Sequence, residues 1–298
     1  MEVYSSGKIL LTGEYVILDG ALSLAAPTKF GQYLRLRESE SNLINWKSIN
    51  FDGNIWFKCL ITSDTLKVKS TSSKKISNTL VEIINLIRDY NPTFLKKCGT
   101  DISTNLTFEK NLGLGSSSTL ISNLSKISGV NPYTINNKIF KGSGYDIACA
   151  ESISPILYKL DKDQKIINEV SFKPSFNEHI YFVYLNKKQN SISEIKKYNK
   201  NKASNSIINE ISDITSEILV CNSIDRFNEL IEAHELIISK LISKQTVKDH
   251  LFKDFDGYIK SLGAWGGDMI MVTSQIDPSK YFIEKGYSTI FKFKELLV

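Results

Sequence analysis

Four short stretches of this sequence carry groups that could act together on a phosphate. The densest is Asn111-Leu112-Gly113-Leu114-Gly115-Ser116-Ser117-Ser118-Thr119, a Gly-X-Gly turn that runs straight into three serines. Gly113 and Gly115 carry no Cβ, so the backbone there can bend tightly and approach a ligand closely. Ser116, Ser117 and Ser118 favour a helix start, because a serine oxygen can accept an orphan backbone N–H. Leu120, Ile121, Leu124 and Ile127 then recur at helical spacing, which predicts a helix from about Ser117 to Ser128. A glycine turn at a helix N-terminus gathers free N–H groups at the positive end of the helix dipole, and that suits a phosphate. No lysine follows the second glycine, so this is not a Walker loop. An ordinary glycine–serine loop capping a core helix fits the same residues equally well.

The other three stretches add charge. Ser6-Gly7-Lys8, followed by Gly13-Glu14, puts a lysine at the mouth of an expected strand, where a fixed cation can meet a phosphate or lower a hydroxyl's pKa. Gly142-Ser143-Gly144-Tyr145-Asp146 puts an aspartate on an expected helix start, placed to take a proton or a hydrogen bond from a substrate hydroxyl. Gly263-Ala264-Trp265-Gly266-Gly267-Asp268 is a glycine turn ahead of the strand Met269 to Thr273. Each alone is also ordinary turn chemistry. Together, glycine turns with one Lys and one Asp are the inventory for phosphoryl transfer, which needs positioning and charge neutralisation more than covalent chemistry.

The rest of the chain must position these groups. Its 298 residues fit one large domain or two moderate ones, and 42% hydrophobic residues can bury a core. A net charge of +5, from 37 basic and 32 acidic residues, accommodates a small anionic substrate and does not argue for nucleic acid. Cys59, Cys98, Cys149 and Cys221 have no metal-ligand spacing and read as reduced thiols. His179, His234 and His250 are scattered, and His234 reads as a structural histidine within a helical stripe. No signal peptide or membrane span is visible, so the expectation is a soluble, cytoplasmic protein without membrane partners.

Ile9 to Thr12 and Tyr15 to Leu18 read as strand pieces, with Asp19-Gly20 as a hairpin turn. Leu22 to Ala26 and Gln32 to Arg37 read as further strands, and residues 39–75 as edge strands with loops. A helix is expected from about Ser77 to Tyr90, and a strand from Asp101 to Phe108 leading into the serine loop. Thr134 to Phe140 reads as a short helix, Lys141 to Gly144 as a turn, and Asp146 to Ala150 as the start of another helix. Strands are expected at 156–158 and 166–172 around an Asp161-Lys162-Asp163 turn, with a domain boundary near Pro174. Ile180 to Leu185 reads as a strand, and Lys187 to Lys202 as a lysine-rich solvated loop and helix start. Helical stripes follow at 207–218, at 224–241 with Ser223 as cap, and at 247–262, before closing strands at 269–273 and 289–293.

Taken in order, the four stretches resemble the motifs of the GHMP kinases, the small-molecule kinases that include galactokinase, homoserine kinase, mevalonate kinase and phosphomevalonate kinase. Ser6 to Leu18 is similar to the first motif, closest to the mevalonate and phosphomevalonate branches. Asn111 to Thr119 resembles the nucleotide phosphate loop, Gly142 to Ala148 the segment of the catalytic aspartate, and Gly263 to Asp268 the third motif. The string Gly144-Tyr145-Asp146-Ile147-Ala148 resembles a subgroup named for those five letters. The resemblance implies an α+β GHMP kinase fold: a ribosomal-S5-like N-terminal domain over 1–172, then a ferredoxin-like C-terminal domain over 173–298.

It also implies roles. Asp146 would be the catalytic aspartate, paired with Lys8. Asn111, Leu112, Gly113, Leu114, Gly115, Ser116, Ser117 and Ser118 would hold the phosphates of ATP, with the Ser117 hydroxyl on Mg²⁺. Lys8, Glu14, Ser143, Gly144, Gly266 and Gly267 would face the substrate, and Gly263 would line the site. The implied activity is ATP-dependent phosphorylation of a small alcohol or phosphate, foremost mevalonate or phosphomevalonate, by a monomer or homodimer. Alternatives are a sugar or homoserine kinase, a diphosphomevalonate decarboxylase, or a degenerate nucleotide-binding regulator. The sequence departs from the pattern twice: Asn131 to Lys141 holds no acid where mevalonate kinases carry a Mg²⁺-binding glutamate, and Ala264-Trp265 replaces small residues, so Trp265 would narrow the pocket or stack on a ligand.

Overall fold

The computed structural model describes residues 1–96, 99–140, 142–162, 164–187, 191–198, 202–265 and 267–298. They form two compact units that interleave along the chain. Met1–Gly7, Phe30–Lys110 and Leu114–Glu151 make the first, and Lys8–Lys29, Asn111–Gly113 and Ser152–Val298 make the second. The boundary expected after residue 172 lies inside the second unit. The fold class is α+β, as expected.

Strand β1 (Glu2–Leu10) begins in the first unit, and β2 (Ser23–Ser39) ends in it. The two expected strands at 22–26 and 32–37 are one strand of 17 residues. Gly31 in its middle is there for space: a Cβ would lie 2.3 Å from the Ser5 carbonyl oxygen of β1. Next come β3 (Leu43–Ile49), β4 (Ile55–Thr62), β5 (Val68–Thr71), α1 (Lys74–Tyr90) and β6 (Gly99–Leu106). The unit closes with α2 (Ser116–Ser128), α3 (Pro132–Ile139) and α4 (Tyr145–Glu151).

Its sheet runs β5-β4-β3-β6-β2, with β1 also on β2. Residues 39–75 are thus not all edge: β3 lies between antiparallel β4 and parallel β6. Alternation explains the strand: Ile44 and Trp46 point into the core, and Ser48 is tolerated there because it accepts from Trp46 Nε1 and from Thr104 Oγ1, each at 3.0 Å. Leu80, Ile83, Ile84 and Ile87 of α1, Ile121 and Leu124 of α2, and Ile147 of α4 share one apolar core with Trp46, Phe57 and Ile102.

In the second unit the expected strand at 15–18 is instead a single 3-10 turn over Val16–Asp19. Tyr15 and Gly20 on either side take positive φ, 64° and 94°, which an extended strand cannot contain. The apolar run there follows from burial of Val16 and Ile17, not from a β-face. The first residues of β2 pair antiparallel with β7 (Ile156–Asp161), which pairs with β8 (Gln164–Glu169). Then follow β9 (Ile180–Tyr184), α5 (Ser191–Tyr198), α6 (Asn205–Val220), α7 (Ile224–Ile242) and α8 (Val247–Leu251). β10 (Tyr258–Leu262), β11 (Met269–Thr273), α9 (Ser279–Glu284), β12 (Ile290–Lys292) and α10 (Phe293–Leu296) complete the chain.

The second sheet, β10-β11-β9-β12, is antiparallel throughout, and α7 and α8 pack on β10. The Ser223 cap holds: its hydroxyl accepts the Arg226 N–H at 3.4 Å. The third expected helix, over 247–262, is only α8; the chain then turns at Phe252 and Phe255, both buried in an aromatic core with Phe282, and enters β10. Gly257 permits that entry, since a Cβ would sit 2.4 Å from the Thr273 carbonyl oxygen. Among the described residues no helix is long and apolar enough to cross a membrane. Among the described residues Cys59, Cys149 and Cys221 form no disulfide, while Cys98, Lys141, Asp163 and part of the lysine-rich stretch lie outside the described residues.

Candidate functional site

The sequence-predicted site residues divide between the units. In the first unit the helix expected from Ser117 starts at Ser116, and Gly115 is its cap, in the left-handed conformation at φ 87°. The serines do not cap it as their type suggested. Ser118 Oγ donates instead to the Gly115 carbonyl oxygen at 2.8 Å, where the Thr119 N–H also arrives at 3.0 Å. The N–H groups of Ser116, Ser117 and Ser118 consequently have no acceptor among the described residues. Ser117 is exposed, Ser116 half-buried and Ser118 buried, so the Ser117 hydroxyl is the one open to a ligand. Leu114 is buried and fixes the loop behind the helix start.

A row of buried polar groups anchors α2. Ser5 Oγ of β1 donates to Asn123 Oδ1 and is hydrogen-bonded to the Ser122 hydroxyl, each at 2.9 Å, and Asn123 Nδ2 donates to the Gln32 carbonyl oxygen of β2 at 2.8 Å. Thr119 Oγ1 reaches Gln32 Oε1 at 3.2 Å. Lys126 Nζ adds bonds to the Tyr4 carbonyl oxygen at 2.6 Å and to Ser5 Oγ at 2.9 Å. Nothing local in the sequence marks this row, because its members come from three separate elements.

Asp146 stands in the first turn of α4, which packs on α2. Gly144, at φ 89°, starts that helix by accepting the N–H groups of Ile147 and Ala148 at 3.1 Å. Ser143 is buried and Asp146 half-buried. Tyr133 of α3 lies within their electrostatic reach: burial, then the charges of Glu151, Asp146 and Cys149, push its hydroxyl pKa well up. α3 itself brings no acid, so Glu151 is the further carboxylate of this neighbourhood.

The second unit holds Lys8, Gly13, Glu14, Asn111 to Gly113 and the described part of 263–268. Lys8 lies on β1 and is half-buried. Glu14, expected against the substrate, is fully buried, with Oε1 at 2.6 Å from Lys260 Nζ and Oε2 at 3.4 Å from His234 Nε2. Burial raises its pKa, opposed by Lys260 and by the backbone N–H groups of Glu14 and Gly263. The Tyr15 hydroxyl accepts the Trp265 N–H at 3.2 Å, and burial lifts its pKa to about 12. Trp265 does not line an open pocket; it is 1% exposed and packs in a core with Tyr15, Tyr198, Ile211 and Ile238.

Gly113, at φ 74°, brings the phosphate-loop stretch against the third motif: a Cβ there would lie 3.0 Å from Asp268 Cγ. Asp268 itself has φ 53° and donates its N–H to the Lys187 carbonyl oxygen at 2.6 Å. Gly267 is buried, Asn111 half-buried and Leu112 buried; Gly266 lies outside the described residues. Thus the first motif from Lys8 onward, the described part of the third motif and Asn111–Gly113 fall within one unit. The α2 start and Asp146 belong to the other. Among the described residues no group of three or more His, Cys, Asp or Glu is arranged to hold a metal.

No protein-family model matches the chain, and no curated protein matches it. Solved structures do. Mevalonate kinase of Methanococcus jannaschii superposes with a TM-score of 0.73 at 17% identity, over 98% of this chain and 96% of that one. Phosphomevalonate kinase of Streptococcus pneumoniae, in complex with phosphomevalonate and AMPPNP, gives 0.70 at 16%, over 96% and 95%. Galactokinase of Lactococcus lactis, complexed with galactose, gives 0.68 at 14%, over 97% and 92%. At such identities the likeness is one of fold, and the fold shared by these proteins, and by this chain, is that of the GHMP kinases.

Proposed function

We propose that the protein is a cytoplasmic, ATP- and Mg²⁺-dependent kinase that phosphorylates a small alcohol or phosphate, foremost mevalonate or phosphomevalonate. The observation that carries this reading is the start of α2, where three successive N–H groups stand open behind a left-handed glycine. Such a site fits a nucleotide's phosphates by both hydrogen bonding and helix dipole. The likeness in fold to a phosphomevalonate kinase in complex with AMPPNP supports the same assignment.

The residues fit the nucleotide well and the metal more sparingly. Gly115, Ser116 and Ser117 would hold the phosphates, joined by Asn111 to Leu114, and the exposed Ser117 hydroxyl would contribute to Mg²⁺, whose other oxygens come from phosphate and water. When bound, Mg·ATP supplies the transferable phosphoryl group and a leaving group of lowered charge. Asp146 would take the proton from an acceptor hydroxyl as that oxygen bonds to the γ-phosphorus and the bond to ADP breaks. Lys8 would neutralise charge on the moving phosphoryl group, with Ser143, Gly144, Gly266 and Gly267 shaping the acceptor's surroundings. Glu14, being buried, would serve through the turn that carries it.

The test is ATP turnover with mevalonate, phosphomevalonate, homoserine and galactose as separate acceptors. ADP release with mevalonate or phosphomevalonate is the expected result. Release of CO₂ would point to a decarboxylase. Tight ATP binding without turnover on any acceptor would replace the kinase by a nucleotide-binding regulator.

A further inference from the structure

We propose that His234 is a positioning residue for the first motif, which holds the Gly13–Tyr15 turn by its Gly13 amide and, with Glu14, Lys260 and Glu235, keeps that turn in register with the strand leading into the third motif. All of these residues belong to the second unit.

The Gly13 N–H donates to His234 Nε2 at 2.9 Å, across 221 residues of sequence. That bond requires an imidazole whose Nε2 is unprotonated, so the ring is neutral with its proton on Nδ1. Burial, reinforced by the charge of Lys260, favours that neutral form. Gly13 cannot be exchanged for another residue without moving the turn: φ is +89°, and a Cβ would lie 2.0 Å from Ser23 Oγ. Its carbonyl oxygen already accepts the Ile17 N–H at 2.9 Å.

The neighbouring residue on α7 does the matching work on the other side. Glu235 Oε2 accepts the Ser261 N–H at 2.9 Å, and Oε1 accepts the Ser261 hydroxyl at 2.7 Å. Ser261 lies in β10, two residues before Gly263 of the third motif. Lys260, also in β10, returns to the first motif through Glu14 at 2.6 Å and steadies itself on the Ser261 carbonyl oxygen at 3.1 Å. One turn of one helix therefore grips the turn of the first motif with His234 and the approach to the third with Glu235.

Position, rather than stability, is what such a cluster supplies. His234, Glu14 and Lys260 are fully buried and Glu235 is 3% exposed. Apolar packing of equal volume is generally as stabilising as a buried ionic cluster, but it lacks direction. Direction matters here because Tyr15 is held at φ 64°, a conformation a tyrosine adopts only under constraint. The Gly13 amide, the Glu14 carboxylate and the Tyr15 hydroxyl are each fixed by a separate bond.

The kinetic consequence of this proposal rests on the kinase reading; the structural consequence does not. Three variants test it: His234→Gln, which keeps an acceptor at the reach of Nε2, His234→Asn, polar but too short, and His234→Leu. In folded His234→Leu and His234→Asn, turnover should fall roughly ten- to a hundredfold, as displaced catalytic geometry does. Nucleotide affinity should change by less than about threefold, because the α2 start is built in the other unit. His234→Gln should recover most of the turnover. In parallel, hydrogen exchange of the Gly13 amide should accelerate in the Leu and Asn variants and not in Gln. Parental turnover and parental Gly13 exchange in a folded Asn or Leu variant would overturn the proposal. Absence of turnover in the parent on every acceptor would remove the kinase reading alone, and the exchange of Gly13 would still decide the role of His234. If neither Leu nor Asn folds, the folded parent decides: a Gly13 amide protected from exchange supports the bond, and one that exchanges as fast as in the unfolded chain refutes it.

Discussion

The start of α2 and the turn of the first motif solve opposite problems. At α2 the useful groups are backbone N–H donors, and they must be left without partners. Ser118 and Thr119 therefore turn their hydroxyls back to Gly115, Thr119 also to Gln32, and the anchoring is done further along the helix, by Ser5, Ser122 and Asn123. Among the described residues no charged side chain caps the helix start. At the first motif the turn must stay where it is, so each residue from Gly13 to Tyr15 is tied to a buried partner, two of them ionisable. A site that binds an anion through the backbone gains from donors kept open. A site that aims a strand gains from donors kept closed.

That contrast can be broken from either side. The largest effect should come at the proposed general base: Asp146→Asn should lose roughly a thousandfold in turnover, the range expected for a lost general base, while nucleotide affinity by calorimetry stays near parental. Full turnover in that variant would take Asp146 out of the reaction. Next in size, Lys260→Met should destabilise the fold by about 3–5 kcal/mol in urea unfolding, because it leaves the Glu14 carboxylate buried without its counter-charge. Glu14→Gln combined with Lys260→Met should recover most of that loss while leaving the turn less well fixed.

Gly115→Ala acts on the open site instead. Placing a Cβ in the left-handed cap costs about 1–2 kcal/mol, and the shift of the three donors should weaken nucleotide binding by roughly tenfold with a small change in stability. The smallest and most discriminating effect is in pH. Burial raises the Glu235 carboxyl to about 7, so the folded protein keeps a proton that the unfolded chain releases from about 4.5 upward. Its contribution to stability is therefore greatest at low pH and is lost as pH rises toward 7, by up to roughly 3 kcal/mol. His234 works in the other direction: neutral when folded, it costs stability as pH falls below 6.5, where the unfolded ring protonates. Stability curves of Glu235→Gln and His234→Gln against the parent, between pH 4.5 and 8, should diverge from it at opposite ends.

Much of the open site was legible in the sequence, because its signals are local. Gly113, Gly115 and the apolar repeat from Leu120 to Ile127 specify a turn and a helix within a few residues of one another. Helices α1, α6 and α7 were legible for the same reason, since each carries an unbroken stripe. The closed site was not. Glu14 and Lys260 are 246 residues apart, and a lysine in a segment with Phe252, Phe255, Ile259 and Leu262 reads as the polar side of a helix. That spacing imitates a helical repeat, although the first two residues lie in a turn and the last two in β10. His234 was recognisable as structural from its place in a helical stripe, yet nothing nearby named Gly13 as its partner. Tyr15 to Leu18 has the composition of a strand, and only the positive φ of Tyr15 and Gly20 makes it a turn.

The interleaving of the units has a consequence for synthesis. Residues 8–29 leave the ribosome well ahead of their partners, since Thr12, Gly13 and Glu14 are met by Thr215, His234 and Lys260. At about 5–20 residues per second, the nascent chain holds this apolar segment unsatisfied for on the order of ten seconds or more after it emerges. A ribosome-associated chaperone that shields residues 8–29 would cover a stretch whose partners arrive 203 to 246 residues later.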